Sequence, residues 1–319
     1  VPEYLSQVVA HSLVASLVAE ALLRVWKVTS PQHRLTCRLG ALALPLLLLP
    51  IFALLAPFRH TEAFADGPAL FASQHLAAVK IWGIGVERLW PWPVVGLGVL
   101  LLSRDLWPLL TSRASHPLER LAVAPAPAPA SFVARIDTLA ALAGIAAPPV
   151  VVVRSETPVL LCMGAFRPRL LVSQALLELL DEAELEAALA HELSHLRHRD
   201  VLWSWVLLGL RLGQAVSPFA QVLGRVVTLE TELRADAEAA RWTGRPAALA
   251  SALLKVFGGG YGAASGDLGL SLQLERAHTL ALEERCRRLL AGPSPVAPPG
   301  PGLFAAAALG LIGVLFFVT

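Results

Sequence analysis

Charge is what this sequence has least of. Asp, Glu, Lys and Arg make up 16% of its 319 residues, against about 25% in a typical soluble domain. Hydrophobic residues make up 55%, and the mean hydropathy is +0.62. That balance argues against both an ordinary soluble protein and a disordered chain. Cysteine is scarce as well. Cys37, Cys162 and Cys286 are odd in number, far apart and without CxxC spacing, so neither a disulfide framework nor a cysteine-rich zinc site organises the fold. The 26 basic and 24 acidic residues leave a net charge of +2, too small a surplus to argue for direct nucleic-acid binding. No internal repeat is visible. The glycines at 258–260 and 262 lack the GK[ST] of a phosphate loop and read as a hinge or turn.

What is present is blocks of apolar sequence. Residues 5–23, 39–57, 89–110 and 303–319 are each close to the roughly 20 apolar residues that cross a bilayer as helix. The composition therefore predicts a membrane α-helical bundle of about four spans. Three lie in a membrane domain at 1–110 and one in a C-terminal helix at 303–319. Residues 24–38 hold Arg24, Lys27, Arg34 and Arg38 and no acid. Excess Lys and Arg stays cytoplasmic, which places the N-terminus outside and residues 24–38 inside. Positive charge after the first apolar block, not before it, argues against a cleaved signal peptide. Pro/Ala-rich and Pro/Gly-rich linkers at 111–131 and 291–302 bracket a domain at 132–290. Within it, a helix at 133–145 precedes strand signals at 148–154, 158–163 and 169–173. Glu20, four residues before Arg24 and close to the inner end, reads as snorkelling or paired, and Cys162 as a core residue.

The chemical signal is HELSHLRHRD at 191–200. Its first five residues are HExxH on a strongly helical run, with Asp181 and Glu184 spaced as a capping box. At 3.6 residues per turn, His191 and His195 share one face and can bind one zinc ion, with Glu192 placed as general base on its water. A third ligand is required. Glu232 is the choice, with Asp236 four residues on as acceptor for a liganding histidine. Glu230 and Glu238 are competing carboxylates. His191, His195 and Glu232 must lie on one side of the membrane. Two crossings need about 40 residues, and the apolar stretch 201–228 holds 28. It is expected to form a membrane-associated hairpin broken near Ser217 and Pro218. His198 reads as part of a polar helix end, and Arg167 and Arg169 as solvated or paired with acids. An edge strand beside the zinc helix could pair with an extended peptide.

GAFRPRLLVS at 164–173, LDEAELEAALAHELSHLRHRD at 180–200, ETELRAD at 230–236 and LEERCRRLL at 282–290 together resemble the antirepressor family of integral-membrane zinc peptidases, the beta-lactam-sensor-type gluzincins. The related heat-shock and prenyl-protein membrane proteases share HExxH and ExxxD. The resemblance implies an α+β gluzincin-like metallopeptidase domain in which His191, His195 and Glu232 hold Zn2+, Glu192 is the catalytic base and Asp236 stands behind a ligand. His278, Tyr261 and Arg285 are candidate transition-state stabilisers. His278 is followed by Thr279, not by the proline usual in the prenyl-type enzymes. No penicillin-binding domain follows within these 319 residues, so beta-lactam sensing through one is not expected.

The implied function is zinc endopeptidase activity on the cytoplasmic side of a bacterial inner membrane, cleaving a protein or peptide substrate such as a repressor, with membrane lipid as the other partner. One alternative is membrane-protein quality control of the heat-shock type. Another is a non-catalytic signalling scaffold, against which the intact Glu192 argues, since nothing structural requires it. Oligomeric state is not encoded in any feature of the sequence.

Overall fold

The computed structural model describes residues 2–60, 64, 80–81, 84–85, 91–111, 128–156, 158–164, 167–258, 271–292 and 300–318. The chain divides into two compact units, Val1–Ser112 with Trp205–Glu230 and Pro295–Thr319, and Arg113–Ser204 with Thr231–Ser294.

The first unit is helical apart from a short antiparallel ribbon, Lys80–Ile81 with Ile84–Gly85. Its helices are α1 (Pro2–Val25), α2 (Pro31–Leu55) and α3 (Pro91–Thr111). It also holds parts of two further helices, α7 (Asp200–Gly213) and α8 (Pro218–Thr243), and the terminal α11 (Pro301–Phe316). Helices α1 and α2 contain stretches, Gln7–Val25 and Pro31–Phe52, long and apolar enough to cross a membrane. The expected count of four spans is not reached on that measure among the described residues. Helix α11 has 16 residues, about 24 Å at 1.5 Å per residue, short of a hydrocarbon core of about 30 Å. Helix α3 carries Arg104 and Asp105 in its second half.

Charges in this unit are paired. Arg38, buried, donates to Glu20 at 2.6 and 3.0 Å and also contacts Glu230, to which Arg34 donates at 2.7 Å. The partner of Glu20 is therefore Arg38 and not Arg24, because the packing of α2 on α1 brings a buried guanidinium to it. Asp105 is held by Arg211 and by Arg225, the latter at 2.8 Å.

Residues 201–228 fold as a helical hairpin, α7 and the start of α8, with the break at Gln214–Ser217. Its tip meets the middles of the long helices. Gln214 Nε2 donates to the Leu42 carbonyl at 2.8 Å, and the Ser217 and Ser12 hydroxyls are hydrogen-bonded to each other. The tip backbone lies against Gly98 of α3, where a Cβ would stand 2.6 Å from the Val216 carbonyl. Gln221 Nε2 donates to the Arg211 and Gln214 carbonyls at 3.0 and 3.1 Å. These amides satisfy non-helical backbone that water does not reach.

In the second unit, α4 (Ala130–Ala143) precedes a three-stranded sheet of β1 (Val150–Val153), β2 (Leu160–Met163) and β3 (Arg169–Ser173). Strand β3 is central, parallel to β1 and antiparallel to β2. Then follow α5 (Gln174–Leu179), α6 (Glu182–His198), the second half of α8, α9 (Pro246–Gly258) and α10 (Ser271–Ala291). Ile136, Leu139, Leu170, Val172, Leu189, Leu193 and Leu249 form its apolar core, which clamps α6 between the sheet and the surrounding helices.

Helix α6 begins on the capping box that the sequence predicts. Asp181 accepts from the Glu184 amide, and Glu184 accepts from the Asp181 amide, both at 2.9 Å. Buried Glu184 also accepts from Lys255 Nζ and Ser251 Oγ at 2.6 Å. Burial alone would raise its pKa, but these donors hold it below the usual carboxylate value. Glu184→Gln is therefore expected to cost about 1–3 kcal/mol at neutral pH. With the folded pKa depressed, that contribution is present above the unfolded pKa and is lost as pH falls through the folded one. Thermal unfolding of both proteins at neutral and acid pH checks this: the gap between them should close in acid.

Candidate metal centre

The site is assembled from three helices of the second unit. Helix α6 presents His191 and His195 one turn apart, with Nε2 atoms 3.1 Å from each other. Helix α8 presents Glu232, whose Oε2 lies 3.5 Å from His191 Nε2 and whose Oε1 lies 3.7 Å from His195 Nε2. One ligand atom from each of the three fits within 4.8 Å of the others. Ligand atoms about 2.1 Å from a tetrahedral zinc ion are about 3.4 Å apart. The donor set and the triangle it forms therefore suit one zinc ion.

Behind this triangle stand charged groups. Asp236 Oδ1 is 2.9 Å from His191 Nδ1. Arg285 of α10, buried, donates to both oxygens of Asp236 at 2.7 and 2.8 Å, and its Nη1 is 3.1 Å from Glu232. His195 Nδ1 is 2.7 Å from Asp200 Oδ2, and Arg234 Nη2 lies 2.5 Å from each Asp200 oxygen. Burial works against charge throughout the cluster and is outweighed by neighbours. The adjacent carboxylates of Asp236 and Glu232 push the pKa of His191 up to about 10 against burial. Burial would raise Glu232, but His191 and Arg285 bring it down to about 2. Asp236 and Asp200 are likewise held below their ordinary value against burial, by Arg285 and His191 in one case and by His195 and Arg234 in the other.

Glu192 faces the sheet. Its Oε2 accepts from the Cys162 amide of β2 at 3.2 Å, and the Cys162 thiol donates to the Glu192 carbonyl at 3.6 Å. Cys162 is half-buried and packs against the apolar core beside the motif, and burial followed by the Glu192 charge pushes its thiol pKa up. Because the Cys162 amide points away from β3, Leu160, two residues before it, turns its amide and carbonyl to the same open edge.

The competing carboxylates are engaged elsewhere, Glu230 with Arg34 and Arg38, and Glu238 with Ser194 at 2.8 Å and His198 at 3.0 Å. Of the proposed stabilisers, Arg285 lines the cluster. Tyr261 lies outside the described residues, and His278 lies on α10 with its side chain outside them. Asp200 belongs by sequence to the polar helix end of residues 197–200, but here it accepts from His195 and is held by Arg234. The signal was available in Asp200, an acid five residues after His195, but it becomes visible only with the left-handed turn at Arg199 (φ 54°) that brings it back.

Residues 135–280 match the family model described as BlaR1 peptidase M56. The chain is also similar to the "Protease HtpX homolog" of Acidiphilium cryptum (strain JF-5), at 35% identity over 159 residues, 39% of this chain and 55% of that protein. The "Protease HtpX homolog 1" of Streptomyces coelicolor is 34% identical over 158 residues, 39% of this chain and 52% of its own. That of Thermococcus kodakarensis is 30% identical over 157 residues, with 38% and 54% covered. The chain spans about half the length of the curated relatives it matches. By description these are peptidases and proteases.

Proposed function

We propose that the chain is an integral-membrane zinc metalloendopeptidase with its site on the cytoplasmic side, held to the bilayer by α1, α2 and α3, with the 201–228 hairpin re-entrant among them. The observation that carries the reading is the triangle of His191, His195 and Glu232 with Glu192 beside it. Zinc, when bound there, supplies a Lewis acid that polarises a peptide carbonyl and makes water acidic enough to lose a proton near neutral pH. Glu192 takes that proton on a carboxylate oxygen and returns it to the departing amine. Leu160 and the Cys162 carbonyl on the open edge of β2 bind an extended peptide as an added strand. Arg285 holds Asp236 and Glu232 in place and is a candidate donor to the developing oxyanion. The hairpin reading rests on its tip. Ser12 lies about 15 Å along α1 and Leu42 about 16 Å along α2, roughly half the depth of a hydrocarbon core. Irregular backbone is tolerated there only when buried in protein.

For the substrate, the curated relatives favour quality control of membrane or unfolded proteins over cleavage of one repressor. The test is cleavage of casein by the purified protein in detergent. Activity is expected to vanish on chelation with 1,10-phenanthroline and to return with added zinc. Cleavage of many unfolded chains supports quality control. Zinc-loaded protein that leaves unfolded chains intact but cuts one folded regulator would restore the repressor reading.

A further inference from the structure

Each liganding histidine in this site uses one ring nitrogen toward the triangle and the other toward a carboxylate. For His191 that carboxylate is Asp236, at 2.9 Å. For His195 it is Asp200, at 2.7 Å. We infer that Asp200 is the positioning residue of the second histidine: it accepts the Nδ1 proton, fixes the tautomer that leaves the Nε2 lone pair free, and holds the ring at the angle that a metal ion needs. The inference rests on the zinc reading above and goes beyond it.

Three further observations support this assignment. Asp200 is itself immobilised, since Arg234 Nη2 reaches both of its oxygens at 2.5 Å. Both side chains are nearly buried, at 11% and 8% exposure, so the hydrogen bonds face little competition from water. Arg234 stands on α8 between Glu232 and Asp236. One stretch of five residues, 232–236, thus supplies the third ligand, the carboxylate for His191 and the guanidinium that sets the carboxylate for His195. The backbone is shaped for the same contact. Helix α6 ends at Arg199 in the left-handed region, a conformation that costs a non-glycine residue about 1–2 kcal/mol. That turn lets α7 begin at Asp200, beneath the ring of His195, where a continuing helix would carry the residue away.

The experiment is zinc affinity of the purified full chain in detergent, by competition with a chromophoric chelator. It compares wild type, Asp200→Ala, Asp200→Asn and the exposed control Glu182→Gln. Loss of a carboxylate behind a liganding histidine costs roughly 10–100-fold in affinity. That loss is expected for Asp200→Ala, with a smaller one for Asp200→Asn, whose amide oxygen can still accept the proton, and none for the control. Visible absorption of the Co2+-substituted protein should change in both Asp200 variants, a readout that a purely structural role in folding would leave alone. If Asp200→Ala fails to fold, Asp200→Asn, equally good at a helix start, carries the test. Wild-type affinity and an unchanged Co2+ spectrum in a folded Asp200 variant would overturn the assignment and leave the zinc reading standing. A wild type that binds no zinc would overturn the reading beneath both.

Discussion

Glu192→Gln should leave a protein that binds zinc as the wild type does and cleaves casein about 10²–10⁴ times more slowly, a loss of roughly 2.7–5.5 kcal/mol of transition-state stabilisation. The separation of the two properties follows from geometry. His191, His195 and Glu232 meet at one point, whereas Glu192 points to β2 and accepts from the Cys162 amide. Glutamine keeps the shape and keeps an oxygen for that amide, so neither the edge strand nor α6 has reason to move. What it lacks is a basic oxygen to take a proton from water. Steady-state cleavage measured beside zinc content in the same preparation decides the matter. A variant that retains a tenth or more of wild-type activity would move the base to another residue. A variant that loses zinc would mean that Glu192 is itself a ligand.

Much of this site is legible in sequence because it is helical and local. HExxH fixes two ring positions by helical pitch alone, the capping box at Asp181 and Glu184 marks where α6 starts, and the i, i+4 spacing of Glu232 and Asp236 puts both on one face of α8. What could not be read is what depends on packing between distant segments. The pairing of Glu20 with Arg38, the placement of Cys162 beside Glu192 and the capture of Asp200 by Arg234 all need partners 18 to 34 residues apart. No periodicity encodes them. Of the four expected spans, two are long and apolar enough to cross a membrane among the described residues. Hydropathy measures apolar length, but α11 closes after 16 residues, and composition alone does not show where a helix stops.

Glu232→Ala should reduce zinc to well below one ion per chain, and by more than the 10–100-fold in affinity that loss of an outer partner brings, because a coordinating atom is removed. The effect must be specific to this carboxylate among the four acids on its helix. Glu230 lies two residues away, but its buried side chain is bound by Arg34 and Arg38, and Glu238 is bound by Ser194 and His198. Neither is free to replace the missing oxygen. Asp236 is nearest, yet Arg285 holds both of its oxygens, so its move into the triangle would strand a buried guanidinium. Glu230→Ala and Glu238→Ala are therefore expected to bind zinc as the wild type does, whatever they cost in stability. Metal analysis after dialysis of all three variants makes the comparison. Full zinc in Glu232→Ala alongside loss in either of the others would transfer the third ligand and, with it, the face of α8 that turns toward His191 and His195. The positions of Asp236 and Arg234 behind the two histidines would then lose their explanation. One substitution thus tests the register of the whole helix against the metal.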